Sequence, residues 1–438
     1  MSEIFNNIPE FRQTSKIKYS LHDALMSCFA CMHFQDPSLL QFQARMQEER
    51  HQNNLRALFG VQNIPKETQM REIVDMVSSD YFSPIFKEYY QRLQRGKHLE
   101  QYKSLLGHYY FPIDGTQFFN SNEVCCEQCL IKKHKQKDKD DDETYSHQVL
   151  QGGIMHHSRS EVIPFMPEQI CNEDGTLKQD CEMNAAKRLI DRLHAEFPKL
   201  GFIIGGDALF SRQPLIEDIT ERGMHYIFAA KPKDHAYMME WLEAYDELHS
   251  VQYEDEKGRI HVYEWMNKVP LSGREDAINV NYFCCTIIGH TKKKKKRKVY
   301  SNSWVTDLPI SEATIKELVR TARCRWKNEN ECFNVMKNHG YYMEHNYGHG
   351  KKNLCFNFYL LTLLAFFFHQ IFELTDQQYQ TCRKKFGSKK HLWEKLRGYI
   401  DLIIFDSWES LLAFALTSKA GLLACEAGVL KWDKDPPG

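Results

Sequence analysis

The chain has no long uninterrupted apolar run. Its most apolar stretch, Phe358 to Phe368, has eleven residues, against the roughly 20 that a spanning helix needs. A buried helix is expected there. The start, Met1-Ser-Glu-Ile-Phe-Asn-Asn, has no basic segment followed by an apolar one, so no secretory leader is expected. There is no excess of charge of either sign: 57 Lys and Arg stand against 58 Asp and Glu, a net charge of -1. A polyanion such as DNA must therefore be met by local basic patches. No internal repeat is present. The 14 cysteines do not have the spacing of a disulfide scaffold, and they read as reduced thiols of a cytoplasmic protein.

What is present is an ordinary globular mixture, 42% hydrophobic and 26% charged, which excludes a disordered chain. A length of 438 residues exceeds one ordinary core and predicts two or three domains. Residues 1–104 read as a helical N-terminal DNA-binding region. Leu21 to His33 has the pattern of an amphipathic helix. Leu55 to Gly60 and Ile64 to Arg71 read as helix, turn, helix, with Pro65 suited to a first helical turn. Two packed helices and a DNA-binding helix-turn-helix are both compatible with that pattern.

From about residue 105 the texture changes. Tyr109 to Asp114, Tyr145 to His156, Glu161 to Met166, Leu200 to Gly206 and His225 to Ala230 read as strands. Cys181 to Phe197 and Arg212 to Gly223 read as helices. This order predicts an α/β fold with a mixed sheet over 105–234. Residues 235–310 read as a β insertion. Residues 311–385 resume the α/β unit with a long helix from Ser311 to Asn338 and the apolar helix after it, and 386–438 form a helical tail. Lys292 to Lys298 reads as a solvated hairpin tip, with DNA-backbone contact as a second role. Lys135 to Glu143 reads as a solvated loop.

Three acids stand out. Asp114 and Asp207 each follow an apolar run, where a carboxylate is presented at the end of a strand beside a sheet-edge cleft. Glu329 lies on the long helix. Converging carboxylates are tolerated around hard cations with oxygen ligands, Mg²⁺ or Mn²⁺. A pair of such ions can drive an in-line phosphoryl displacement. Each acid also has a local explanation: a turn at Asp114-Gly115, a helix cap at Asp207, an ion pair of Glu329 with Arg325. Gly115, Gly205 and Gly206 leave room for close backbone approach. Trp326 reads as core. Cys126 and Cys129 form one close pair, which Cys171 and Cys181, or His134 and His147, could complete as a zinc site. With no second close pair, structural or incidental thiols are the favoured reading. His345, Asn346, Tyr347 and His349 read as a tight glycine-rich turn, with DNA contact as a second role because Lys351 and Lys352 follow.

Several blocks together resemble the DDE transposases of bacterial insertion sequences, the insertion sequence 4 group. They are Tyr109-Tyr-Phe-Pro-Ile-Asp-Gly-Thr-Gln-Phe-Phe119, Tyr145-Ser-His-Gln148, Glu161-Val-Ile-Pro164, Asp180-Cys-Glu-Met-Asn-Ala-Ala-Lys-Arg188, Ala230-Lys-Pro-Lys-Asp-His235, Arg325-Trp-Lys-Asn-Glu-Asn-Glu331 and Glu344-His-Asn-Tyr-Gly-His-Gly350. The resemblance implies a ribonuclease H-like catalytic domain with a β domain inserted between the second Asp and the Glu. It implies that Asp114, Asp207 and Glu329 are the catalytic and metal-binding acids, holding two Mg²⁺ or Mn²⁺ ions. It implies DNA cleavage at element ends and transfer of the 3′ hydroxyl into target DNA, by a homodimer on double-stranded DNA with no membrane role. Within the group's Tyr–Arg–Glu–Lys signature, Arg325 and Glu329 match. Ala322 stands at the Tyr position, Met336 at the Lys position with Lys337 one place later, and Asn328 where an apolar residue is usual. Arg325, Arg323 and Lys337 are the expected DNA contacts, and residues 1–104 are expected to supply much of the specific end binding. A π-bulge would reconcile the extra residue before Lys337. The rivals are a ribonuclease H-like nuclease that does not join, and a transposase-derived DNA-binding protein that does not cut.

Overall fold

The structure, a computed structural model, describes all residues except 14, 16, 47–48, 135–141, 173–179, 246–247, 291–295, 346, 418–429 and 432–438. The N-terminal segment is helical: α1 (Ser2–Asn6), α2 (Leu21–His33), α3 (Leu39–Met46), α4 (Glu49–Phe59), α5 (Glu67–Asp75) and α6 (Ser83–Arg95). The strands β1 (Tyr109–Ser121), β2 (Leu130–His134), β3 (Asp142–Ile154), β4 (Ile163–Pro164) and β5 (Glu168–Ile170) follow. Next come α7 (Glu182–Glu196), β6 (Phe202–Gly206), α8 (Gln213–Glu221), β7 (His225–Ala229) and α9 (Ala236–Glu243). Four strands then run together: β8 (His249–Glu254), β9 (Ile260–Pro270), β10 (Asn279–His290) and β11 (Lys296–Thr306). The chain closes through α10 (Glu312–Arg323), a π-helical segment (Asn328–Phe333), α11 (Asn334–Asn338), α12 (Leu354–Thr375), α13 (Gln377–Phe386), α14 (Lys389–Ile400), β12 (Ile403–Ile404), α15 (Trp408–Leu416) and β13 (Leu430–Lys431).

The architecture is α/β around one mixed sheet. Its strand order is β2-β3-β1-β6-β7-β11-β10-β9-β8, with β4 and β5 both paired to β3. β1, β6 and β7 are mutually parallel, and the strands outside them run antiparallel. The composition of each strand explains its place. Phe202-Ile-Ile-Gly-Gly206 is buried at every residue, as a parallel strand covered on both faces must be. In β9 buried and half-buried positions alternate through its first half, the mark of an antiparallel strand with one face toward water.

Several expectations are corrected here. Residues 235–310 do not stand apart as a β insertion: β11 pairs with β7, so β8–β11 extend the central sheet from its edge. An exposed sheet edge offers unpaired backbone groups to the next strand, and β11 takes them. The same stretch also opens with a helix, α9. Helix α2 is not amphipathic; all its residues from Leu21 to His33 are buried. Pro65 lies outside α5, whose N-cap is Lys66. Of the basic run, Lys296 to Lys298 begin β11, opposite His290, Gly289 and Ile288. The remainder lies outside the described residues, as does Lys135 to Asp141 of the acidic loop.

Helix α12 is the axis of the helical half. By length and composition it could cross a membrane, yet it is mostly buried inside the protein. α2 and α6 pack on it: Phe29 meets Phe368 edge to face at 5.3 Å, and Phe86 stacks on Phe367 at 6.1 Å. One continuous hydrophobic cluster therefore joins the N-terminal helices, the sheet and the C-terminal helices. Asp75, at the end of α5, caps α12: its carboxylate accepts hydrogen bonds from the backbone N–H groups of Lys351, Lys352, Asn353 and Leu354, at 2.9–3.0 Å. The first N–H groups of a helix have no partner within it; Asp75 takes that of Leu354, the first residue of α12, and the three of the turn that leads into it.

Candidate active site

Asp114 does not end its strand as the sequence suggested. β1 continues to Ser121, still paired to β3. What ends is its pairing with β6, whose last partners are Pro112 and Gly205. Asp114 and Asp207 lie two residues beyond those partners on adjacent parallel strands, so they emerge side by side where β6 stops. Asp207 then turns: its Oδ1 accepts from Leu209 N–H at 2.9 Å, a local turn rather than a cap, since α8 begins only after Arg212.

The helix that carries the third acid is not continuous. α10 is capped by a reciprocal pair, Ser311 and Thr314, and ends at Arg323. A turn at Cys324 and Arg325 precedes the π-helical segment, within which Glu329 lies. The wider helical turn absorbs the extra residue in the Arg325-to-Lys337 interval. Glu329 reaches the Arg325 guanidinium at 2.8 Å, and the same guanidinium meets Asp114 at 2.9 Å. One planar fork thus holds both carboxylates. Glu331 points elsewhere and lines a groove with Gln35, His339 and Lys389. Asn328 is fully buried, and its Nδ2 donates to Gln151 O at 3.2 Å, tying the π segment to β3. A polar residue thus fits where an apolar one was expected, because it binds a strand carbonyl.

The electrostatics follow from this crowding. The Asp114 carboxyl is pushed up to about 6. Burial is the largest cause; Arg325 opposes it, and Glu329, Asp207 and Glu182 add to the rise. Glu182 was not among the sequence candidates. It is the first residue of α7, and its own carboxyl is raised by burial and by Asp207. Its carboxylate lies where a Cβ on residue 115 would collide with it, so Gly115 makes room for a fourth acid. The signal was present in the Asp180-Cys-Glu-Met block, but only the fold brings α7 to β1. Gly205 and Gly206 instead make room for Tyr110 and Phe210, which is core packing.

The expected DNA contacts have separate partners. Arg325 holds the acids, Arg323 lies over the Tyr300 ring at 4.4 Å, and Lys337 pairs with Glu344 at 2.8 Å. Trp326 is not core; it is 46% exposed, because the turn after α10 swings it outward. Tyr347 and His349 are buried, which removes them as DNA contacts, and Asn346 lies outside the described residues.

Arg325 joins Asp114 and Glu329, and Asp207 and Glu182 add negative charge around Asp114; carboxylate oxygens of this kind are the ligands that hard divalent cations take. No curated protein matches the chain. Residues 163–367, which include Asp207 and Glu329, match the family model described as the transposase DDE domain, and that match supports a DDE transposase, a family that implies DNA as partner and a divalent metal as cofactor.

Proposed function

We propose that the protein is a DNA transposase of the insertion sequence 4 group, with a ribonuclease H-like catalytic unit that cuts element ends and joins the freed 3′ hydroxyl to target DNA. The observation that carries this reading is the meeting of Asp114 and Glu329 on Arg325, with Asp207 beside Asp114. Asp114, Asp207 and Glu329 would hold two Mg²⁺ or Mn²⁺ ions, with Glu182 close enough to add charge. Bound there, such ions supply an activated water or 3′ hydroxyl and stabilise the leaving oxygen of an in-line displacement.

The residues of the chain have distinct tasks in this reading. Carried on strand ends and the π segment, the acids would fix the position of the reacting phosphate through the ions they hold. Arg325 neutralises Asp114 and Glu329 in the free protein. Its guanidinium is then available to the scissile phosphate, which it can hold with two parallel hydrogen bonds. Arg323 and Lys337 contact the DNA backbone on either side. No covalent enzyme intermediate is needed, because cleavage and joining are both phosphoryl transfers at one site. A dimer would bring two ends together.

The experiment is incubation of the full chain with the DNA that flanks its coding sequence, in Mg²⁺, with Glu329→Gln and Glu331→Gln compared for cleavage, joining and DNA binding. Glu329→Gln is expected to abolish cleavage while keeping DNA binding, and Glu331→Gln to cut at near the normal rate. The reverse pattern would place the metal on Glu331. Cleavage without joining would make the protein a nuclease.

A further inference from the structure

Away from the acids, four side chains from three distant parts of the chain meet in one cluster, three of them buried and Cys126 half-buried. Cys126 and Cys129 lie in the turn between β1 and β2, His147 is on β3, and His349 is in the glycine-rich turn before α12. The Cys126 and Cys129 sulfurs are 3.8 Å apart. His147 Nε2 lies 3.5 Å from Cys126 Sγ and 3.4 Å from Cys129 Sγ. His349 Nε2 lies 3.4 Å from Cys129 Sγ and 3.1 Å from His147 Nε2.

These are five of the six edges of a tetrahedron. With zinc–sulfur bonds of about 2.3 Å and zinc–nitrogen bonds of about 2.0 Å, tetrahedral geometry places two sulfurs about 3.8 Å apart, sulfur and nitrogen about 3.5 Å and two nitrogens about 3.3 Å. The five separations match their classes. His349 Nδ1 is 3.0 Å from Gly350 O, so it carries the proton and Nε2 presents a bare lone pair to the cluster. A hydrogen bond from the distal nitrogen to a carbonyl is the usual outer support of a metal-bound histidine. The Cys126 backbone N–H donates to Cys129 Sγ at 3.4 Å, an interaction that favours the thiolate, the form that binds metal.

We infer that Cys126, Cys129, His147 and His349 form a structural zinc site that ties the β1–β2 turn and β3 to the segment between α11 and α12. Cys₂His₂ with no open position is the composition of a closed, structural site, and two thiolates with two imidazoles select Zn²⁺ over Mg²⁺ or Mn²⁺. The site is independent of the acids in its ligands. It is mechanically linked to them, since β1 carries Asp114 and the π segment carrying Glu329 leads through α11 to His349. Cys171, Cys181 and His134, considered from the sequence as partners, have no place in it. His349 is over 200 residues from the cysteines, so spacing alone could not supply the fourth ligand.

The test is metal analysis of the full chain purified from zinc-supplemented medium, with cobalt substitution. One Zn²⁺ per chain is expected, retained in Cys171→Ser/Cys181→Ser and lost in Cys126→Ser/Cys129→Ser. Because the latter variant can misfold, Co²⁺ is also added to the metal-stripped wild type. An intense tetrahedral d–d absorption with a sulfur-to-cobalt charge-transfer band is expected, displaced by Zn²⁺. Absence of both that spectrum and bound zinc would overturn the assignment. So would zinc that persists in Cys126→Ser/Cys129→Ser, bound iron in place of zinc, or a Cys126–Cys129 disulfide found by mass spectrometry. Intact DNA cleavage in a zinc-free protein would leave the transposase reading standing while this one failed.

Discussion

At the scale of single residues, Asp114 shows what gathering acids costs a folded protein. Its carboxyl sits at about 6, raised chiefly by burial, above the roughly 4 of a free aspartate. Such a group opposes folding once ionised: the cost is absent below about pH 4, grows between about 4 and 6, and is fully present above. Asp114→Asn is expected to raise the Tm of the protein at pH 7.5 without added Mg²⁺, by at most about 3 kcal/mol of stability. At pH 4 it should change little. A lower Tm at pH 7.5 would contradict the account of that carboxyl. Glu182 makes a second residue-scale prediction. Glu182→Gln is expected to weaken Mn²⁺ binding about tenfold, the lower end of what a supporting group near a metal contributes. Calorimetric titration reads it, and unchanged affinity would place Glu182 outside the site. Asp114, Asp207 and Glu329 could be singled out in the sequence, as acids after apolar runs or one helical turn from Arg325, but only the family resemblance chose them over a local turn, cap or ion pair. Glu182 and His349 were not legible, because only the approach of α7 to β1, and of the pre-α12 turn to β3, gives them a role.

At the scale of elements, periodicity revealed that strands and helices exist but not what covers them. The Leu21–His33 segment alternates enough to suggest one polar face, yet Asp23 and His22 are buried with it. Asp23 accepts hydrogen bonds from Gln62 and Asn63 N–H, and His22 meets Ser2. Polar residues with partners can be buried, and hydrophobicity alone cannot foresee the partners. Helix α12 depends on such a partner too. Burial would raise the Asp75 carboxyl, but the four backbone N–H groups from Lys351 to Leu354, where the chain enters α12, outweigh it and hold it below the usual range. Asp75→Ala is expected to cost about 1–2 kcal/mol, measured by urea denaturation at pH 7, as loss of a helix cap does. Because a lowered carboxyl contributes stability only above its unfolded value, the difference from wild type should shrink as pH falls below about 4. A cost that does not depend on pH would mean that packing, not the charge, is what Asp75 supplies.

At the scale of the whole molecule, the α/β order of strands and helices could be read from the chain. The joining of its parts could not. Strands β8–β11 looked like an insertion because sequence shows where they begin and end, not that β7 has a free edge to pair with β11. The N-terminal helices look separable on composition, but Phe29, Phe34, Phe82 and Phe86 are buried in the same cluster as α12. Removing residues 1–104 would expose that surface, and about 25 cal/mol is lost for each Å² of apolar area returned to water. The truncated chain is expected to be insoluble or to melt without cooperativity, so DNA recognition by this region has to be tested with single surface changes. A soluble truncation with a sharp melting transition would contradict the shared core.

The central claim is that Asp114, Asp207 and Glu329 together hold the metal ions of a DNA-cutting site. Its most direct test is anomalous diffraction from crystals of the full chain bound to element-end DNA and Mn²⁺. The account predicts manganese peaks ligated by Asp114, Asp207 and Glu329, with Arg325 turned toward a DNA phosphate. Peaks ligated by Glu331, or a DNA-bound complex with Arg325 still locked between Asp114 and Glu329 and no manganese beside them, would contradict it.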